Sequence, residues 1–74
     1  MRLIELNLYQ VAKISCINCN KTLKSRLAVL GITEGAKITY YQNSPLGSPK
    51  IYRVRGVLIA VDNEVAKNIL VEII

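Results

Sequence analysis

The clearest periodic pattern in the chain runs from Lys21 to Leu30. Apolar and polar positions repeat there with the period of an α-helix: Leu23, Leu27 and Leu30 on one side, with Ala28 beside them, and Lys21, Lys24 and Ser25 on the other. Asn18 and Asn20 precede the pattern, and either side chain can accept a hydrogen bond from a free N–H at a helix start. Gly31 follows, where helices commonly end in a left-handed residue. The pattern predicts a helix of about three turns.

Alternation with a period of two predicts β-strands on both sides of this helix. The predicted inward positions are Ala12, Ile14 and Cys16 before it, Ala36, Ile38 and Tyr40 after it, and Ile69, Val71 and Ile73 near the end of the chain, where Leu70 and Glu72 face outward. Residues 43–49 form a loop by composition, because two prolines and a glycine make ladder pairing there unfavourable. The opening LIEL is either a first strand or a lead-in, and residues 62–67 suit a short helical turn.

A hairpin with Arg55-Gly56 as its turn pairs Val54 with Val57, Tyr52 with Ile59 and Arg53 with Leu58. This register collects apolar side chains on one inner side: Tyr52, Val54, Val57, Ile59 and Val61. Arginine does not suit a type I′ turn, so a bulged turn with a left-handed Gly56 is expected. Together the elements predict a mostly β fold with one α-helix, a small β-barrel of about five strands whose closure leaves no exposed edge. The length of 74 residues allows a single domain, 1–74.

Charge and composition narrow the function only slightly. The net charge of +5 permits a nucleic acid, an anionic membrane surface or an acidic protein as partner. The cations are scattered from Arg2 to Lys67, whereas nucleic-acid-binding segments usually cluster them, so no nucleic acid is expected and an ordinary solvated surface is favoured. No run reaches the roughly 18 apolar residues of a membrane helix, so no direct membrane insertion is expected. Two cysteines and no apolar leader favour a reducing, cytoplasmic location.

The chain offers little chemistry of its own. It has no histidine, no Ser/His/Asp set and no phosphate-binding glycine loop, so we expect no enzyme activity, no cofactor and no metal site within one chain. Cys16 and Cys19 have the C-x-x-C spacing of zinc and redox sites, but a structural zinc needs four ligands. Two chains sharing one metal would supply them. The favoured interpretation is a buried Cys16 at a strand end and an incidental Cys19 near the helix start.

From Arg26 to Val61 the chain reads RLxxLGIxxGxxIxYxxxSPLGxPxxYxVRGxxIAV. This ordered set resembles the FeoA family of ferrous iron transport proteins, and the resemblance covers roughly residues 3–73. It implies an SH3-like β-barrel that serves as an accessory partner of FeoB, a membrane permease with a cytoplasmic GTPase portion. A similar barrel forms the C-terminal domain of some iron-dependent repressors. The alternative is therefore a small basic barrel in metal-dependent transcriptional regulation or nucleic-acid binding. Glu34, where the family often has proline, and the Cys16/Cys19 pair depart from the family pattern.

The candidate partner-binding residues lie between the positions that shape the fold. Strand alternation places cations and one apolar residue outward, and a rigid loop presents a leucine: Lys37, Leu46, Arg53, Arg55 and Leu58. Leu58 stands where a polar residue is expected, so it could join the cations in a patch for an acidic surface of a FeoB-type permease. An ordinary solvated face is as reasonable an interpretation. For Leu46 the favoured alternative is that it folds back to cap the barrel. A weak homodimer also stays open.

Overall fold

The computed structural model describes residues 1–74 and contains five antiparallel strands in one sheet. In chain order the elements are a 3-10 turn at Leu3–Glu5, β1 (Val11–Ile17), α1 (Lys21–Val29), β2 (Lys37–Gln42), β3 (Lys50–Val54), β4 (Val57–Val61), α2 (Asn63–Ala66) and β5 (Ile69–Ile73). The spatial order of the strands is β4-β3-β2-β1-β5. The mostly β class with one main helix is therefore confirmed, and the opening LIEL is a lead-in turn. No helix is long and apolar enough to cross a membrane.

The sheet curls without closing, so the expectation that closure removes every edge is not met. β5 has a partner on both sides, because the chain start pairs with its outer edge: the Val71 N–H donates to the Met1 carbonyl (2.7 Å), and Arg2 forms a bridge with Leu70. β4 has only β3 beside it. The short α2 connects these two end strands and contacts the 3-10 turn. No hydrogen-bonded strand pair joins β4 to β5.

A core of 16 buried apolar residues lies between the inner face of the sheet and the helical segments and loops that cover it. Tyr52 lies at its centre and is fully buried, with its ring 5.5 Å from that of Tyr40. Burial, and to a lesser degree the charge of a neighbouring ionised Tyr40, raises the pKa of Tyr52 to about 12. The Tyr52 hydroxyl has no hydrogen-bond partner. A short chain thus fills its core with a tyrosine at the cost of burying an unsatisfied donor.

The predicted helix is confirmed with both of its end signals. Asn20 Oδ1 accepts the Leu23 N–H (2.8 Å). At the other end the Gly31 N–H donates to the Ala28 carbonyl (3.0 Å) and the Ile32 N–H to the Leu27 carbonyl (2.9 Å), which is the Schellman arrangement with Gly31 at φ 93°. Because the helix ends at Val29, Leu30 lies outside it and is 49% exposed, contrary to the predicted inward position.

Three other residues that were predicted to point into the core are exposed or only half-buried. A bulge in β1 between Ile14 and Cys16 shifts the pairing with β5, so Ile17 enters the core and Cys16 is only half-buried. Val57 (58% exposed) and Ile73 (48% exposed) lie at the tips of the two end strands, where the core no longer covers them. The alternation of apolar and polar residues in the sequence does not reveal a bulge, and it does not show where the core ends.

The predicted hairpin register is confirmed, and the predicted turn type is wrong. Tyr52 faces Ile59, Arg53 faces Leu58 and Val54 faces Val57. Both turn residues are left-handed, with φ 52° at Arg55 and 78° at Gly56, as in a two-residue type I′ turn. This turn matches the twist of the strands, and that gain outweighs the roughly 1–2 kcal/mol that a non-glycine residue loses in this conformation.

Candidate partner-binding face

The side of the sheet opposite the core, here called the outer face, is crossed by a row of paired residues from four strands. Leu58 on β4 faces Arg53 on β3, Arg53 faces Thr39 on β2, and Thr39 faces Val11 on β1. All four residues alternate along their strands with the buried residues, so their side chains lie on the side of the sheet opposite the core. Leu58 is 52% exposed and Arg53 is exposed. An apolar side chain therefore lies beside a free guanidinium, as the sequence predicts.

A second row on the outer face places two lysines directly opposite each other. Lys37 on β2 pairs with Lys13 on β1, and Lys13 pairs with Glu72 on β5. Like charges at facing positions destabilise a sheet by a few tenths to about 1 kcal/mol. The two ion pairs of the structure lie elsewhere, at Arg2–Glu5 and Lys67–Glu64. The cations of the outer face are thus left free to meet an external anion.

Lys13 is the member of this face that the candidate set omits. Alternation along β1 puts Lys13 outward, but its importance depends on β1 lying next to β2. These two strands are separated in sequence by the whole of α1, so their pairing is a tertiary feature. The spacing of residues within β1 and β2 carries no sign of it.

Arg55 does not share the outer face with Arg53. Its left-handed backbone turns the side chain toward the end of α1, where a Cβ built on Gly31 would lie 3.6 Å from Arg55 Cδ and 3.9 Å from Nε. The carbonyl end of a helix carries partial negative charge, and a nearby cation gains about 0.3–1 kcal/mol there. The position of Arg55 thus has a structural explanation that is independent of any partner.

Leu46 caps nothing: it is 93% exposed, so the favoured interpretation of a leucine folded onto the barrel end is wrong. Its loop is nevertheless held. The Gly47 N–H donates to the Ser44 carbonyl (3.0 Å), and Asn63 Nδ2 donates to the Gly47 carbonyl (3.1 Å). These bonds tie the loop to the start of α2, away from the row that contains Arg53. Leu46 is therefore a separately presented apolar side chain.

Cys19 lines the one cavity of the structure, a space of about 200 Å³ between β1, α1, α2 and β5. Its wall is mainly apolar: Ile17, Cys19, Leu23, Leu27, Val65 and Ile69, with Glu64 and Asn68 at the polar side. Cys16 and Cys19 are free thiols and both are half-buried. No three residues of the metal-binding types lie together. A metal held by these thiols would need ligands from another molecule.

A curled five-stranded antiparallel sheet with one helix inserted after its first strand defines a small SH3-like domain. The FeoA domain model matches residues 1–73, and the chain therefore belongs to the FeoA family. A comparison with curated protein sequences finds no significant match.

Solved structures of FeoA proteins superimpose closely. The solution structure of FeoA from Chlorobium tepidum has a TM-score of 0.93 and 30% identity, over 99% of this chain and 70% of that one. Iron(II) transport protein A from Clostridium thermocellum gives 0.94 and 27%, over 100% of this chain and 46% of that one, so this chain spans less than half of its length. The zinc complex of FeoA from Stenotrophomonas maltophilia, described as a prokaryotic SH3 domain protein, gives 0.82 and 26%, over 97% and 89%.

Proposed function

We propose that this FeoA protein is an accessory, non-enzymatic module of ferrous iron uptake that docks through its outer face on the cytoplasmic part of a FeoB-type permease. The observation that carries the proposal is an outer face with three cations outside any ion pair, Lys13, Lys37 and Arg53, of which Arg53 faces the exposed Leu58. Docking of this kind requires a cytoplasmic location. The family's association with iron transport supports the identity of the partner.

The two kinds of side chain would contribute differently to docking. Exposed cations speed encounter with an acidic surface and give it a dependence on salt, whereas a single rim charge adds little to the final affinity. An apolar side chain that becomes fully buried contributes about 1.5–3 kcal/mol. We therefore expect Lys13, Lys37 and Arg53 to orient the partner and Leu58 to provide an apolar contact at the β4 side of the face.

The test is binding to the purified cytoplasmic portion of the FeoB-type permease from the same organism. Arg53→Glu places a negative charge against the acidic surface of the partner, and this like-charge repulsion, which is larger than the loss of one positive charge, should weaken binding at least about tenfold, the equivalent of 1.4 kcal/mol. Lys21→Glu makes the same change in charge on the exposed side of α1 and is the matched control. Circular dichroism verifies the fold of both variants.

Arg55→Glu separates the outer face from the rest of the hairpin. Because Arg55 lies over the end of α1, its reversal should affect binding less than that of Arg53. Leu46→Ser asks in the same assay whether the loop takes part. If Arg53→Glu binds as tightly as Lys21→Glu, the outer face is not the docking surface and the proposal fails.

A further inference from the structure

The outer edge of β4 is the one strand edge of the sheet with nothing beside it. β1, β2 and β3 each have a strand on both sides, and the chain start pairs with the outer edge of β5. β4 pairs with β3 alone, and no backbone hydrogen bond from a turn or loop reaches it. Unpaired edges are ready templates for another strand.

The hairpin geometry identifies which backbone groups point away from the sheet. In a two-residue hairpin the pair next to the turn exchanges hydrogen bonds, here Val54 with Val57, and hydrogen-bonded and free pairs then alternate. The pairs of Leu58 with Arg53 and of Ala60 with Ile51 are therefore the free ones. The N–H and C=O groups of Leu58 and Ala60 face the open edge, and both residues are exposed.

β4 lacks three common devices that prevent edge pairing. Its five residues, VLIAV, include no charge and no proline. The register with β3 is continuous over all five pairs, without the bulges that interrupt the β1–β5 and β2–β3 pairs. Charged residues, prolines and bulges are how soluble proteins protect such strands. A regular, uncharged, apolar edge in an otherwise basic protein is thus a feature that calls for a partner strand.

We propose that β4 pairs antiparallel with β4 of a second copy, which joins two sheets into one of ten strands around a two-fold axis. The register centred on Ile59 pairs every residue of one strand with a residue of the other. Leu58 then faces Ala60 of the copy at both symmetric positions, and these two pairs use all the outward backbone groups. A large side chain meets a small one each time, so the edge is complementary to itself.

Charge is compatible with this pairing at physiological salt. The register places Asp62 of each copy beside the Arg55-Gly56 turn of the other, so no like charges face each other at the ends of the pairing. The nearest like charges on the outer face are the two copies of Arg53. They would be separated by three strand spacings, about 14 Å, which exceeds the screening length of about 8 Å. The short interface implies a weak dimer that forms as concentration rises.

The first experiment is sedimentation of the wild-type protein at 0.15 M salt from about 10 µM to about 1 mM, the range in which a small interface should titrate. We expect the mass to rise from monomer toward dimer. Amide hydrogen exchange by NMR then locates the contact. The amides of Leu58 and Ala60 should gain protection with concentration, whereas that of Ile59, already bonded to β3, should not change.

Two variants and one control test the register and the edge. Ala60→Pro removes an outward N–H that the single chain does not use, and Ala60→Lys adds a charge to the edge; both should stay monomeric. Ser15→Lys adds the same charge on exposed β1 and should dimerise like the wild type. If Ala60→Pro fails to fold, Ala60→Lys and the exchange pattern decide.

Three results overturn the inference. One is a wild-type protein that stays monomeric up to about 1 mM. Another is a dimer that survives both substitutions at Ala60. The third is a loss of dimer in Ser15→Lys equal to that in Ala60→Lys, which would reflect net charge and not the edge. None of these results bears on permease docking, because that proposal is measured by Arg53→Glu.

Discussion

Tyr52→Phe should stabilise the protein, although it removes a polar group from the centre of the fold. The Tyr52 side chain is fully buried against Tyr40, and its hydroxyl has no partner. A buried hydroxyl without a hydrogen bond costs about 1–3 kcal/mol, and phenylalanine fills the same ring volume without it. We expect a gain of about 1 kcal/mol at pH 7, which raises the melting temperature of a domain of this size by about 4–8 °C.

The gain should grow in alkali. The pKa of Tyr52 is about 12 in the folded state, against an ordinary value of 10 that the unfolded chain regains. Below pH 10 both states keep the proton; above it the unfolded state loses the proton first, so the wild type is destabilised as pH rises from 10 toward 12. At pH 11 the loss is about 1.4 kcal/mol for a two-unit difference, and Tyr52→Phe lacks it.

Urea unfolding of both proteins at pH 7 and pH 11 measures the two parts of this prediction. The quantity to compare is the difference in unfolding free energy between variant and wild type, because other groups titrate equally in both. Tyr41→Phe, the same atomic change on an exposed ring, is the control at pH 7 and should stay within about 0.5 kcal/mol. A variant less stable than the wild type at pH 7 would mean that the hydroxyl is hydrogen-bonded in solution, and the reasoning from burial would be wrong.

The same unfolding assay tests the caps and the hairpin turn. Asn20→Ala should cost about 1 kcal/mol by removing the acceptor of the first turn, whereas Asn18→Ala, the same change two residues earlier, should cost less. Gly31→Ala should cost about 1–2 kcal/mol through backbone strain at φ 93°. A steric clash is not the cause, because the added Cβ would meet Val54 at an ordinary 3.5 Å. Gly31→Asn should cost less, and equal losses would contradict backbone strain as the cause. Arg55→Asn should be more stable than Arg55→Ala by about 0.5–1 kcal/mol, because both lose the cation at the end of α1 and only asparagine suits the type I′ turn. Equal stabilities would contradict this explanation.

Local signals predicted most of the secondary structure. The helix bounded by Asn20 and Gly31 and the register around Arg55-Gly56 could be read from sequence, because each depends on residues within one or two turns of chain. The wrong predictions concern features that depend on contacts between elements distant in sequence. The β1 bulge that displaces Cys16 exists only against β5, and the exposure of Val57 depends on where the core ends. Alternation predicts which side of the sheet a side chain points to, but it does not predict which strand lies next to its own.

The same limit applies to the outer face. Sequence alternation correctly predicted that Lys37, Arg53 and Leu58 point outward. It could not show that Lys13 faces Lys37, or that the Arg55 side chain lies at the end of α1 and not on the outer face. A left-handed φ at Arg55 follows from the twist of the hairpin as a whole. The prediction that Leu46 folds back onto the barrel was wrong for a different reason: Asn63 already holds its loop in place, so the loop does not depend on burial of the leucine.

The outer face and the β4 edge can be occupied together, because a strand presents its side chains and its backbone groups in perpendicular directions. The Leu58 side chain projects from the sheet beside Arg53, while the Leu58 N–H and C=O lie in the plane of the sheet. A second copy paired along β4 would therefore leave Arg53 uncovered and would place two cationic faces on the same side of one continuous sheet. A partner with two acidic sites at matching separation would gain affinity from the second contact without any new chemistry. Permease docking that strengthens with the concentration of this protein, and loses that dependence in Ala60→Lys, would show that the two surfaces act together.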